Sequence, residues 1–133
     1  MPAAKQTNRR RPADGAVRAF KTAYFRKQAK GAGIHDGELC EAVVELQAGQ
    51  GDALGGGVWK KRLRENRHRA IVLAKTGEFW VYVYLFAKND RENITPKELK
   101  AFRKLSGDYR SADIELMLKN GDLDEICKGG KEE

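Results

Sequence analysis

Three short stretches near the middle of the chain have strand length, with apolar positions drawn largely from β-branched and aromatic residues and polar or glycine-rich segments between them. Their residue types predict strands over Val58–Leu63, Arg69–Ala74 and Phe79–Ala87, the last two rich in β-branched or aromatic residues. Lys75–Thr76–Gly77–Glu78 then reads as a hairpin turn. Before these strands a helical period appears. Leu39, Cys40, Val43 and Leu46 recur at helical spacing and predict a helix over Gly37–Gln47, with Asp36 as its cap. Val17–Lys21 predicts a short first strand. Thr22 caps a helix running through Lys30, which Gly31 and Gly33 end. Gly49–Gly57 reads as a glycine-rich turn region and a flexible entry to the next strand. Thr95–Pro96–Lys97–Glu98 has the pattern of a capping box with proline at the first helical position, opening a helix to about Leu105. Ser111 starts another, ending near Asn120–Gly121. The order β-α-α-β-β-β-α-α gives an α+β class: a small antiparallel sheet, N-terminal helices packed on one face, and a C-terminal helical segment.

The 133 residues suit one domain. Residues 1–15 carry Arg9, Arg10 and Arg11 without apolar periodicity and read as a flexible basic arm. The domain is expected over 16–128, with a tail at 129–133. Ile114–Leu118, Leu123 and Ile126 have the spacing of core contacts. No apolar run is long enough to span a membrane, and the basic N-terminus has no apolar signal core. Cys40 and Cys127 lie far apart without a C-x-x-C spacing, so they read as reduced thiols of a cytoplasmic protein. His35 and His68, the only histidines, have no nearby cysteine, so neither a metal site nor a cofactor is expected.

Charge changes the picture more than composition does. The net charge is +7, which favours polyanionic partners. Much of it sits in Gly55–Arg69, where Lys60, Lys61, Arg62, Arg64, Arg67 and Arg69 surround His68 and Glu65 is the only acid. Strand alternation sends Trp59, Lys61 and Leu63 to one face and Lys60 and Arg62 to the other. Trp59 and Leu63 belong in the core, which leaves Lys60 and Arg62 on the open face. Arg69 opens the next strand, and Lys88–Asn89–Asp90–Arg91 ends the third. If these strands are neighbours, Lys60, Arg62, Arg69 and Lys88 converge where a phosphate under attack would gather charge. Lys61, Arg64, Arg67, Asn89 and Arg91 would extend the contact with a nucleic-acid backbone. The bland alternative is a solvated sheet edge whose lysines and arginines prevent aggregation. Trp80, Tyr82, Tyr84 and Phe86 read either as a packed face or as a base-stacking platform. The Gly55–Gly57 run lacks the trailing Gly-Lys-Ser/Thr of a P-loop.

Four segments together, FKTAYFRKQAKGAGIHDGELCEAV, LGGGVWKKRL, FAKNDRENITPKELKAF and ELMLKNGDLDEI, resemble the RelE/HigB-type toxins of type II toxin–antitoxin systems, within the RelE/ParE superfamily. The resemblance implies a RelE-like microbial RNase fold and cleavage of mRNA on the ribosome, by attack of the 2′-hydroxyl on the adjacent phosphate. By motif, Lys60 and Arg62 fall on the family's basic strand positions. Arg69 falls on the arginine of the next strand, and Lys88, Asn89 and Arg91 on the basic end of the last. The resemblance gives Lys60 the role of base or charge stabiliser and Arg62 and Arg69 that of phosphate holders. Either His68 or Lys88 protonates the leaving oxygen. Three departures stand out. The turn is shortened to Arg64–Glu65–Asn66–Arg67, with His68 where many relatives have tyrosine; Asn89 stands where some have arginine; and no tyrosine stands near Thr95, where some have one. A cognate antitoxin is implied, a small helix-turn-helix protein encoded nearby. The competing readings are a ParE-like poison of DNA gyrase, a basic nucleic-acid-binding module without chemistry, and an inactive partner-binding scaffold.

Overall fold

A computed structural model describes residues 17–75 and 78–127. The basic arm, the Thr76–Gly77 tip of the hairpin turn and the tail at 129–133 lie outside the described residues. The elements are β1 (Arg18–Thr22), α1 (Ala23–Ala32), α2 (Asp36–Gln47), β2 (Asp52–Gly55), β3 (Val58–Leu63), β4 (His68–Lys75), β5 (Phe79–Ala87), α3 (Pro96–Asp108), α4 (Ser111–Asn120) and β6 (Leu123–Ile126). They form an α+β domain around one six-stranded sheet in the order β2-β3-β4-β5-β1-β6.

The helix signals act through their caps. The Thr22 hydroxyl accepts from the Phe25 N–H at 3.0 Å, and Gly33 closes α1 in the left-handed conformation at φ 71°. Thr95 and Glu98 form both bonds of a capping box at the start of α3, with Pro96 in the first turn. One cap differs from its sequence reading. His35, not Asp36, is the N-cap of α2, and it makes no side-chain cap bond. The Asp36 carboxylate instead accepts from Lys21 Nζ at 2.7 Å.

The sheet is mixed rather than wholly antiparallel. β3, β4 and β5 form an antiparallel meander, but β1 runs parallel to β5. Two short strands are additions to the sequence reading. β2 grows out of the glycine-rich stretch against β3, and β6 returns beside β1. Four-residue strands carry too little alternation to be distinguished from loop, and Gly55 sits at φ 86°, beside a register shift against β3. Beyond Tyr82 the edge of β5 has no strand beside it among the described residues. The Gln28 side chain takes that place: its amide donates to Leu85 O at 2.8 Å and accepts from Leu85 N at 2.9 Å.

Each sheet face has its own core. On one face Phe25, Ala29, Leu39, Val43 and Leu46 of α1 and α2 pack on Leu63, Ala70, Val72, Tyr82 and Leu85. On the other, Leu99, Phe102 and Leu105 of α3, with Ile114 and Met117 of α4, cover Val58, Ile71, Leu73 and Val81.

The cysteines overturn their sequence reading. Cys40 of α2 and Cys127, just beyond β6, form a disulfide with Cα atoms 5.4 Å apart, across 87 residues of chain. The cause is the unforeseen β6: it brings the end of the domain under α2, where Ile126 joins the Leu39–Val43 core. The pair therefore removes the argument that free thiols point to a reducing compartment. None of the described helices is long and apolar enough to cross a membrane.

Candidate active site

The register of the meander fixes which cations meet. Arg62 on β3 is the direct partner of Arg69 on β4, and Arg69 is the partner of Phe86 on β5. The adjacent row on the same face is Lys60, Ile71 and Tyr84. α3 covers the Val58–Leu73 end of this face. Arg62 lies beyond it and is exposed, whereas Arg69 is only 8% exposed. One end of the Arg69 guanidinium is held to the turn, donating to Asn66 O at 2.8 Å and His68 O at 3.2 Å.

That turn is strained. Arg64, Glu65 and Asn66 have φ of 53°, 54° and 76°, left-handed values that cost side-chain-bearing residues energy. A carboxylate of α2 holds it in place. Glu38 accepts from the Arg64 backbone N–H at 3.1 Å and from Arg64 Nε at 2.8 Å, while Arg64 also donates to the Gly33 carbonyl. The turn thus positions Arg69 from the far side of the sheet.

Arg91 completes the open face. Its guanidinium lies 5.6 Å from the centre of the Phe86 ring and 5.9 Å from that of Tyr84, within cation–π range. It donates to the Tyr84 hydroxyl at 3.2 Å and to Asn93 O at 3.0 Å, and it pairs with Glu98. The Arg91 bonds and the Thr95 N–H lower the Glu98 carboxyl to a pKa of about 2, and Glu98 in turn raises that of Arg91. One glutamate therefore caps α3 and fixes the cation above the aromatic floor.

The structure sorts the candidate residues into three groups. Lys60, Arg62, Arg69 and Arg91 share the open face. Arg67, Lys88 and Asn89 lie exposed at its rim, where the Lys88 N–H donates to Arg67 O at 2.9 Å. The Arg67 side chain is 70% exposed, although it lies 4.0 Å from Glu65 and donates to Arg64 O at 3.2 Å. Lys61, Arg64 and His68 lie elsewhere. Lys61 is buried on the α2 face and pairs with Glu45 at 2.8 Å, and Arg64 is engaged by Glu38. His68 is the cross-strand partner of Leu63 and alternates with Arg69, so its ring falls on the α1 side. Burial satisfies Lys61 through a partner the sequence cannot pair with it, since Glu45 stands 16 positions away on a helix. The clamp formed by Arg91 and Glu98 is absent from the sequence reading; the available signal is the capping-box glutamate seven positions after an arginine.

Among the described residues no group of three or more His, Cys, Asp or Glu side chains could hold a metal ion. The site's chemistry is that of fixed positive charge on a rigid sheet, which suits an anion that gains charge as it reacts.

A family model described as the RelE toxin of the RelE/RelB toxin–antitoxin system matches residues 17–126, from the start of β1 to the end of β6. No curated protein and no solved structure matches the chain. With the match spanning every strand and helix described, the chain belongs to the RelE toxin family of toxin–antitoxin systems.

Proposed function

We propose that this toxin is a ribosome-dependent endoribonuclease that cleaves mRNA and so inhibits translation. The observation that carries the reading is the pairing of Arg62 with Arg69 on one open sheet face beside Lys60. Arg62 and Arg69 hold the scissile phosphate and stabilise the charge that builds on it in the transition state. Lys60 takes the 2′-hydroxyl proton or, charged, adds to that stabilisation. The 2′-oxygen bonds to phosphorus as the bond to the 5′-oxygen breaks, and that oxygen takes up a proton. The products are a 2′,3′-cyclic phosphate and a 5′-hydroxyl.

The donor of the last proton is Lys88, at the rim of the face; His68 lies behind the sheet and is assigned no acid role. Arg91, already matched by Glu98, keeps the floor of Tyr84 and Phe86 in place, and Arg67 and Asn89 meet the flanking RNA backbone.

Membership of the family implies a cognate antitoxin. A small helix-turn-helix protein with an acidic or amphipathic segment would suit this toxin, covering the cation row or pairing with an edge strand, β2 or β6. Co-expression with it is expected to restore growth in the cytoplasm where toxin and ribosomes meet.

The test is the chemistry of the ends. Ribosomes programmed with a defined mRNA should yield fragments with 2′,3′-cyclic phosphate and 5′-hydroxyl termini, and a 2′-deoxy substitution at the cut should abolish cleavage. Intact RNA together with linearised plasmid from trapped gyrase would overturn the reading in favour of a gyrase poison.

A further inference from the structure

We propose that the groove between α1 and the end of β5 receives an unstacked nucleobase of the RNA beside the scissile phosphate, and that His68 reads it; the proposal rests on the endoribonuclease reading above. The groove has a volume of about 440 Å³ and is lined by Gln28, Gly31, His68, Phe86, Asp90 and Arg91, among others. That volume lies within the range of small-ligand sites, about 300–1,000 Å³.

Three observations point to a nucleobase. The first is continuity. Arg91 and Phe86 line the groove and also border the open cation face. His68 and Arg69 are successive residues of β4 and point to opposite sides of the sheet, so it is the Phe86–Arg91 rim that joins the groove to the cation face. Sequence-specific recognition of RNA works on single-stranded bases splayed from the stack.

The second is Gly31. It lies in α1 without a positive φ, and a Cβ there would meet no atom of the described residues within 4 Å. Neither backbone conformation nor crowding inside the chain calls for glycine, which weakens a helix relative to alanine. What glycine provides is a bare wall on the groove.

The third is the polar lining. His68 Nδ1 is buried without a partner among the described residues, and the imidazole has donor and acceptor capacity for a base edge. Gln28 is not the reader, because both ends of its amide are held by Leu85. One helical turn earlier, Tyr24 is 60% exposed and stacks on Tyr84 with ring centres 6.4 Å apart and planes 3° from parallel. It offers an aromatic face to the next base along the strand.

The experiment compares wild type, Gly31→Leu, Gly37→Leu and His68→Ala on ribosomes programmed with a panel of A-site codons. Gly37 lies in α2 and also has nothing within 4 Å of a built Cβ, so it controls for adding a side chain to an open helix position. Gly31→Leu is expected to cut about 10- to 100-fold more slowly while melting no lower than wild type, since the reacting geometry is lost without loss of fold. His68→Ala is expected to change the order of codon preference, and Gly37→Leu to match wild type. If wild type cuts and both Gly31→Leu and His68→Ala cut the whole panel at unchanged rates and order, the groove proposal is overturned and the nuclease reading stands. If wild type cuts nothing, both fall together.

Discussion

Arg62 and Arg69 stand directly opposite each other across β3 and β4, two like charges on one rung of the sheet. Their neighbours Lys61 and Arg64 are each matched by a carboxylate of α2, whereas no described carboxylate pairs with either of these two. Like charges at opposed positions destabilise a sheet. A pair held in that state by a buried guanidinium and a strained turn is a site set for an anion. Arg62→Ala is therefore expected to raise stability slightly, by about 0.2–1 kcal/mol. The same change should slow cleavage by roughly 10²–10³. Urea unfolding beside a single-turnover cleavage assay checks both, and a variant that is less stable and fully active would contradict the account.

Glu98 makes the region sensitive to acid. Its folded pKa of about 2 lies below the ordinary 4.5, so its contribution to stability is full above pH 4.5 and is lost as pH falls through about 2. Glu98→Gln keeps a side-chain acceptor for the capping box but loses the charge that Arg91 pairs with. The variant should be less stable than wild type at neutral pH, and the gap should close as pH falls from 4.5 toward 2. Melting curves across that range decide the point; a constant gap would mean that the ion pair contributes nothing.

The disulfide ties α2 to the end of β6 across 87 residues. Breaking it releases a long loop in the unfolded chain, and Cys40→Ser/Cys127→Ser is expected to cost about 2–5 kcal/mol. Unfolding with and without dithiothreitol gives the same comparison on the wild-type chain. An unchanged midpoint in reductant would show that the bond is not formed in solution or does not stabilise the fold.

Gln28 stands in for a missing strand. Gln28→Ala leaves the Leu85 N–H and C=O without their partner, at a cost of about 1–3 kcal/mol. Amide exchange at Leu85 should quicken more than at Ile71 in the middle of β4. Equal protection at both positions would mean that water replaces the side chain without penalty.

Much of this fold can be read along the chain because its elements announce themselves locally. The β-branched and aromatic run of Phe79–Ala87, the Thr22 cap and the Thr95–Glu98 capping box all act within a few residues, and each stands where its pattern places it. β2 and β6 are too short to show a period, and the parallel pairing of β1 with β5 joins segments 61 residues apart at Arg18 and Phe79. The site divides in the same way. Alternation alone puts Lys60 and Arg62 on one face and Lys61 on the other. Matching Lys61 to Glu45, Arg64 to Glu38 and Arg91 to Glu98 requires knowing which elements pack together. The cysteine pairing is hidden for the same reason: Cys127 meets Cys40 only through β6.

The most direct measurement is primer extension on ribosomes programmed with a defined mRNA, comparing wild type with Lys60→Ala/Arg69→Ala and with a lane lacking ribosomes. Wild type is expected to give a new 5′ end within the A-site codon, absent from the double variant and from naked RNA. An identical cut by the double variant would remove the cation row from the chemistry, and no cut in any lane would contradict the account of this toxin as a ribosome-dependent nuclease.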